Sequence, residues 1–312
     1  QDGLGWLPAL SLLAGLSIGL VFAHRQLRLA DPLIDLRLFR IPAFSASLAT
    51  YGLSVLVVFG GFLFLPQFLQ LVLGLSPLQS GLWTVPWALA FVVGSNLTPV
   101  IVRHLRPWSV MVAGLVFAAV GFGMFTQVDA SSGFAYFVTA SVIFSLGLSP
   151  VFTLTTDLII GSAPPERAGA ASAISETGAE FGGALGIAVF GSIGIAMYRN
   201  GIADAIPTGI PPEAAAAARD TLGGALAIAG QLPAELGPQL VNAARAAFID
   251  GLQFTATIST VGSIGIAVLV AVLLRHVRTG SEPAEQSASE PNSLDEGYVR
   301  MKPVPDPATP AK

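Results

Sequence analysis

The chain is 312 residues long, 53% hydrophobic and only 11% charged, with a formal net charge of −4 and no cysteine. A soluble domain carries roughly 25% charged residues, so the composition indicates an integral membrane protein and argues against an ordinary soluble enzyme. Disulfides, thiolate metal sites and cysteine nucleophiles are excluded outright.

Crossing hydrocarbon as a helix takes about 20 apolar residues. Seven segments qualify, at about 4–24, 43–65, 81–102, 108–128, 134–160, 172–197 and 248–274, which predicts an all-α protein with seven transmembrane helices. The sequence starts at Gln1 and enters the first of these almost at once, so it is expected to be the C-terminal part of a longer polypeptide. All 15 Lys and Arg residues avoid the middles of the spans. Arg25, Arg28, Arg37 and Arg40 fill the first connection, Arg103 and Arg106 the third, Arg167 the fifth, and Arg275 and Arg278 follow the last span. The connections at 66–80 and 129–133 carry no base. By the positive-inside rule the start lies outside and the C-terminus in the cytoplasm of a cell-membrane protein.

Residues 198–247 form a long outside segment rich in Ala and Pro. Stretches at about 212–228 and 238–247 are predicted helical, with Pro211 and Pro212 suiting a helix start and Gly230 and Pro233 breaking the middle. A helical hairpin is expected there, with a disordered loop as the competing reading. From 279 to 312 Ser, Glu and Pro predominate, and the segment reads as a disordered cytoplasmic tail.

The sixth span contains ISETGAEFGGALGIAVFGSIGIAM, with Glu176 and Glu180 inside an apolar run. A charged group near the bilayer centre costs at least about 2.5 kcal/mol, so such residues face a wet cavity, pair, or take up a proton. At about 100° per residue, Glu180 lies near 40° from Glu176, while Gly178, Gly182 and Gly186 lie near 200°, 240° and 280°. The glycine side suits close helix packing, which leaves the acidic side for a central cavity. Burial and mutual repulsion favour the protonated form of such a pair. A lipophilic cation arriving there would favour ionisation and expel the proton, the minimal mechanism of an antiporter. The bland alternative is that Glu176, early in the span, is merely solvated at the cytoplasmic interface.

Asp157 is a further acid within a span, a possible accessory to the pair, but its place near the cytoplasmic loop equally suits a solvated or capping role. Asp250 begins the last span from outside, a place that suits a cap and points to no function. His24, His104 and His276 flank cytoplasmic ends beside arginine, where snorkelling explains them. Tyr51, Gln70, Trp87 and Phe181 are candidates for a substrate cavity, because aromatic faces attract organic cations by roughly 0.5–2 kcal/mol each; packing accounts for any one of them equally well. Trp83 reads as an interface anchor, and Pro86, Pro99 and Pro150 as kinks.

The runs DPLIDLRLFRIPAF, FLPQFLQLVLGLSPLQSGLWTVP and APPERAGAASAISETGAEFGGALGIAVFGS resemble the fourteen-span drug:proton antiporters of the major facilitator superfamily, particularly exporters of quaternary ammonium compounds and methyl viologen. The resemblance implies that residues 1–42 form a linker transmembrane helix and its loop, and that 43–278 form the C-terminal six-helix bundle. It also implies an N-terminal bundle elsewhere in the full-length transporter, with lipophilic cations and protons as partners in the bilayer and a proton gradient in place of any cofactor. Coupling acids of the family map onto Glu176 and Glu180. GSNLTPVIVRHLRP resembles a degenerate copy of the superfamily's cytoplasmic loop motif, which implies a latch made by Gly94, Arg103 and Arg106. Some relatives carry an acid in the span matching 81–102, where this sequence has none. An exporter of a metabolite or neutral antibiotic, and an inactive truncated product, remain rival readings. An intramembrane enzyme would need a nucleophile with a base, or a metal site, within the spans, and no His or Cys is available there; nucleic acid is not an expected partner.

Overall fold

The computed structural model describes residues 6–29, 32, 34–129 and 132–275, and among these only helices and turns occur. The expected tail at 279–312 lies outside the described residues. In chain order the helices are α1 (Trp6–Arg28), α2 (Pro42–Phe62), the single turn α3 (Leu65–Gln67), α4 (Pro77–Ile101), α5 (Pro107–Phe125), α6 (Phe134–Gly161), α7 (Ala168–Ala203), α8 (Pro212–Asp220), α9 (Leu222–Ala229) and α10 (Leu236–Leu273). Six stretches, Pro42–Val72, Pro77–Ile101, Pro107–Phe125, Phe134–Gly161, Pro165–Ala203 and Leu236–Leu273, are long and apolar enough to cross a membrane.

Local chemistry sets the ends. Helices α2, α4, α5 and α8 each begin on proline, whose fixed φ suits the first turn and whose missing N–H is not needed there. Ser76 and Gln79 form a reciprocal capping box before α4: the Gln79 N–H donates to Ser76 Oγ at 3.3 Å, and the Ser76 N–H to Gln79 Oε1 at 3.0 Å. Gly74, at φ +71°, makes the turn that leads into it.

The expected connection at 66–80 is largely helical. Pro66 interrupts α2, but the chain recovers through α3 and a π-helical turn at Phe68–Val72 before it breaks. Beyond α7 the structure also departs from expectation. The predicted helix at 212–228 divides at Thr221, whose hydroxyl accepts from the Gly224 N–H. The predicted helix at 238–247 is not separate; it is the first part of the 38-residue α10. The polar residues before Phe248 mark a change of environment, and none of them stops a helix.

Lipid is as apolar as leucine, so association rests on close packing rather than on hydrophobic burial. Glycines supply it. Gly114 and Gly121 of α5 lie against the α6 backbone at Gly147 and Phe144. In α6, Pro150 frees the Leu146 carbonyl, and the Ser149 hydroxyl donates to it at 2.9 Å. Rings fill the interior between these helices: Phe68 stacks on Phe137 at 5.4 Å and Phe122 on Phe144 at 5.0 Å. Helix α1 meets the rest mainly at the 3-10 turn Leu36–Arg40, leaving Leu13, Leu16 and Leu20 exposed.

Helices α8 and α9 pack together across the ends of α7 and α10. The Tyr198 hydroxyl donates to the Ala218 carbonyl at 2.7 Å, and Arg199 pairs with Asp220 at 3.0 Å. Ordered helices therefore replace the loop alternative.

Candidate functional site

Helix α7 runs parallel to α2 and is divided by its own sequence. On one side Gly182 and Gly186 lie directly on the α2 backbone at Gly52 and Leu56, and Gly178 meets the Leu48 side chain. Phe190 extends this side, packed over Gly60. Glu176, Thr177 and Glu180 lie on the opposite, exposed side. The Thr177 hydroxyl donates to the Ala173 carbonyl at 2.8 Å, so it is spent within the helix. Phe181 follows Glu180 and is 65% exposed.

Tyr51 of α2 reaches across to α6 and α7. It sits beside Thr156 and within electrostatic reach of Glu176, with its ring edge-on to Phe152 at 5.5 Å. Phe152 in turn meets Phe91 of α4 at 5.9 Å. Farther along, Phe62 meets Trp87 at 5.6 Å, and Trp87 stacks toward Phe144 at 6.4 Å. The Trp87 carbonyl accepts from the Ser145 hydroxyl at 2.7 Å, which ties α4 to α6. Aromatic rings thus connect α2, α4 and α6 beside the acidic side of α7. Phe62, Phe91 and Phe152 belong to this set and were missed in the sequence, because phenylalanine is common in every span.

Gln70 stands apart. It occupies the π-helical turn, 19 residues beyond Tyr51 along the chain, or roughly 28 Å of helical rise. It lies toward the end of the Pro42–Val72 stretch away from Pro42. Trp83 stacks on Phe134 at 5.0 Å, linking α4 to the start of α6. Asp157 is exposed one turn before the end of α6 and has no hydrogen bond or ion pair among the described residues. Asp250 does not cap the last span, because α10 begins at Leu236, fourteen residues earlier.

Gly94 is buried against Ser149 of α6, so it acts in helix packing. Arg103 and Arg106 are exposed in the turn that follows α4, with no ion pair among the described residues. A tie at that end of the bundle lies elsewhere: Arg167, before α7, meets Asp35, after α1, at 3.7 Å. Asp35 also accepts from the Arg37 N–H at 3.0 Å. No periodicity in the sequence links these two residues.

Among the described residues, no group of three or more His, Cys, Asp or Glu side chains is gathered to hold a metal. The arrangement places two exposed carboxylates on one side of α7, with Tyr51 and the ring of Phe152 toward Glu176.

The sequence profile of the Major Facilitator Superfamily matches residues 4–187. The chain is 38% identical over 275 residues to the multidrug efflux pump LfrA of Mycolicibacterium smegmatis, covering 88% of this chain and 54% of that protein. It is 30% identical over 294 residues to the tetracenomycin C resistance and export protein of Streptomyces glaucescens, covering 92% and 54%. Identity to the methyl viologen resistance protein SmvA of Salmonella typhimurium is 29% over 267 residues, covering 85% and 53%. The chain spans about half the length of these curated relatives. With its multi-pass helical architecture, profile match and relatives in agreement, this chain belongs to the major facilitator superfamily of membrane transporters.

Proposed function

We propose that the chain is the C-terminal bundle of a proton-coupled exporter of lipophilic cations, with α1 as a seventh span linking it to an N-terminal bundle. The observation that carries this reading is the division of α7. Glycine holds one side against α2, while Glu176 and Glu180 stand together on the other. In the full transporter that acidic side would border the cavity between two bundles, and alternating access would come from their rocking. A cation entering the cavity favours ionisation of carboxyl groups that are protonated beforehand, and the protons they lose are expelled. Protons arriving from outside then release the cation. Tyr51 and the ring of Phe152 supply polar and aromatic surface beside Glu176.

Orientation follows from charge. Arg25, Arg28, Arg37, Arg40, Arg103, Arg106, Arg167 and Arg275 sit at the same end of the bundle, which we assign to the cytoplasm. The α8–α9 hairpin then lies outside.

Two relatives whose names specify methyl viologen and tetracenomycin C frame the choice of substrate. Carboxylates in the cavity would favour a dication; in the alternative, the same fold carries a neutral antibiotic and the glutamates serve protons alone. Proton release from the purified full-length transporter on adding tetraphenylphosphonium separates these. Release in the unmodified protein, lost in Glu176→Gln or Glu180→Gln, is expected. Binding of the cation with no proton released, or unchanged release in both variants, rejects the carboxylate exchange and favours the neutral-substrate reading.

A further inference from the structure

At the end of the bundle that carries α8 and α9, far from Glu176 and Glu180, a cleft of about 420 Å³ opens between α5, α7 and α10. Thr126, Gln127, Asp250, Gln253, Phe254 and Thr257 line it. Both threonine hydroxyl donors and one N–H of each glutamine amide are committed. The Thr126 hydroxyl donates to the Gly123 carbonyl at 2.7 Å, and the Thr257 hydroxyl to the Gln253 carbonyl at 2.9 Å. Gln253 Nε2 donates to the Val128 carbonyl at 2.9 Å, and Gln127 Nε2 to Thr126 Oγ1 at 3.1 Å. The amide oxygens of both glutamines and the Asp250 carboxylate, on residues that line the cleft, remain as acceptors with no hydrogen bond among the described residues. Asp250 has no hydrogen bond or ion pair among the described residues. The arginines of α7 and α10 nearest to it in sequence are held elsewhere, Arg199 by Asp220 and Arg245 by the Leu71 carbonyl.

Depth narrows the ligand class. Helix α5 has 19 residues, about 28 Å of rise, which barely matches a hydrocarbon thickness of about 30 Å. A cleft at its end therefore lies at the lipid–water boundary. Phe254, one turn deeper on α10 and 44% exposed, gives the cleft an apolar wall on the membrane side.

We propose that this cleft binds the primary ammonium group of an amphiphile, with Asp250 and the two amide oxygens receiving its N–H donors and Phe254 packing against its apolar part. An –NH3+ group has three donors and no acceptor, the complement of this lining. A trimethylammonium group carries the same charge without donors. The required chemistry is shared by the ethanolamine headgroup of a bilayer phospholipid and by a free long-chain amine.

Native mass spectrometry of the detergent-purified full-length transporter tests this, with dioleoyl-phosphatidylethanolamine, dioleoyl-phosphatidylcholine and dodecylamine as probes. Preferential retention of the ethanolamine lipid over the choline lipid by about tenfold is expected, the ratio given by one good charge-assisted hydrogen bond. That preference should disappear in Asp250→Asn and persist in Glu213→Gln on α8. Retention of dodecylamine but not of the ethanolamine lipid, again lost in Asp250→Asn, identifies a soluble amphiphilic amine as the occupant. Equal retention of the two lipids without dodecylamine binding overturns the proposal, and so does a preference that survives in Asp250→Asn. The comparison between lipids uses unmodified protein, so it stands even if a variant folds poorly.

Discussion

A Cβ built on Gly182 would sit 2.5 Å from the Gly52 carbonyl oxygen, against α2 backbone rather than a side chain that can turn aside. At Gly178 the nearest atom is the Leu48 Cδ1 at 3.0 Å, and at Gly169 nothing lies within 4 Å. The three positions therefore grade the same substitution. Gly182→Ala should lower unfolding free energy by about 1–3 kcal/mol, the usual cost of overpacking, whereas Gly178→Ala and Gly169→Ala should each cost less than about 1 kcal/mol. Denaturant unfolding in one detergent checks the order. The glycine stripe was readable because a four-residue spacing is a local pattern. Which helix it would meet was not readable, since any neighbour with small residues could accept it.

At the scale of elements, the π-helical turn at Phe68–Val72 shows how a long-range contact completes a local irregularity. There the Leu73 N–H donates back to Phe68 at 3.1 Å, and Arg245, on a helix 174 residues later in the chain, donates its Nε–H to the Leu71 carbonyl at 3.1 Å. Removing a charged donor from a partly buried carbonyl costs roughly 1.5–3 kcal/mol. Arg245→Leu should speed amide exchange at residues 69–75 by at least about tenfold, with little change in α5 or α6. Exchange mapped by mass spectrometry reads this directly; uniform acceleration would mean that the bond does not act locally. Pro66 marks a break in the sequence, whereas the hydrogen bond from Arg245 to the turn after it joins residues too far apart for any local pattern to show. Likewise the change from polar to apolar residues near Phe248 falls inside α10, which begins at Leu236.

On the scale of the molecule, the basic end of the bundle is tied by Asp35 and Arg167, which join the segment after α1 to the turn before α7. That turn leads into the helix that carries Glu176 and Glu180. Asp35→Asn keeps an acceptor for the Arg37 N–H and removes the charge that faces Arg167, so it isolates the ion pair. Partly exposed pairs contribute roughly 0.2–1 kcal/mol, so exchange at residues 34–41 should rise by no more than about fivefold. Added salt should reproduce part of that rise in the unmodified protein. Acceleration confined to other segments would assign the tie no role in holding this end. The expected latch at Arg103 and Arg106 involves exposed side chains, while Gly94 contributes by letting α4 and α6 approach.

The sequence alone determined the membrane environment, the approximate course of the six long apolar stretches and the presence of two carboxylates opposite a glycine stripe. Each follows from composition or from a repeat of a few residues, and the bilayer enforces such patterns because it supplies no water to satisfy stray polar groups. Only the tertiary structure decided that α7 meets α2, that Tyr51 stands near Glu176 while Gln70 does not, and that Arg167 rather than Arg103 or Arg106 is paired across elements. It alone brought Asp250 to a cleft beside Gln127 and Gln253. These outcomes depend on pairings between residues tens to hundreds of positions apart, and helix periodicity constrains which face a residue occupies without naming the partner it will face.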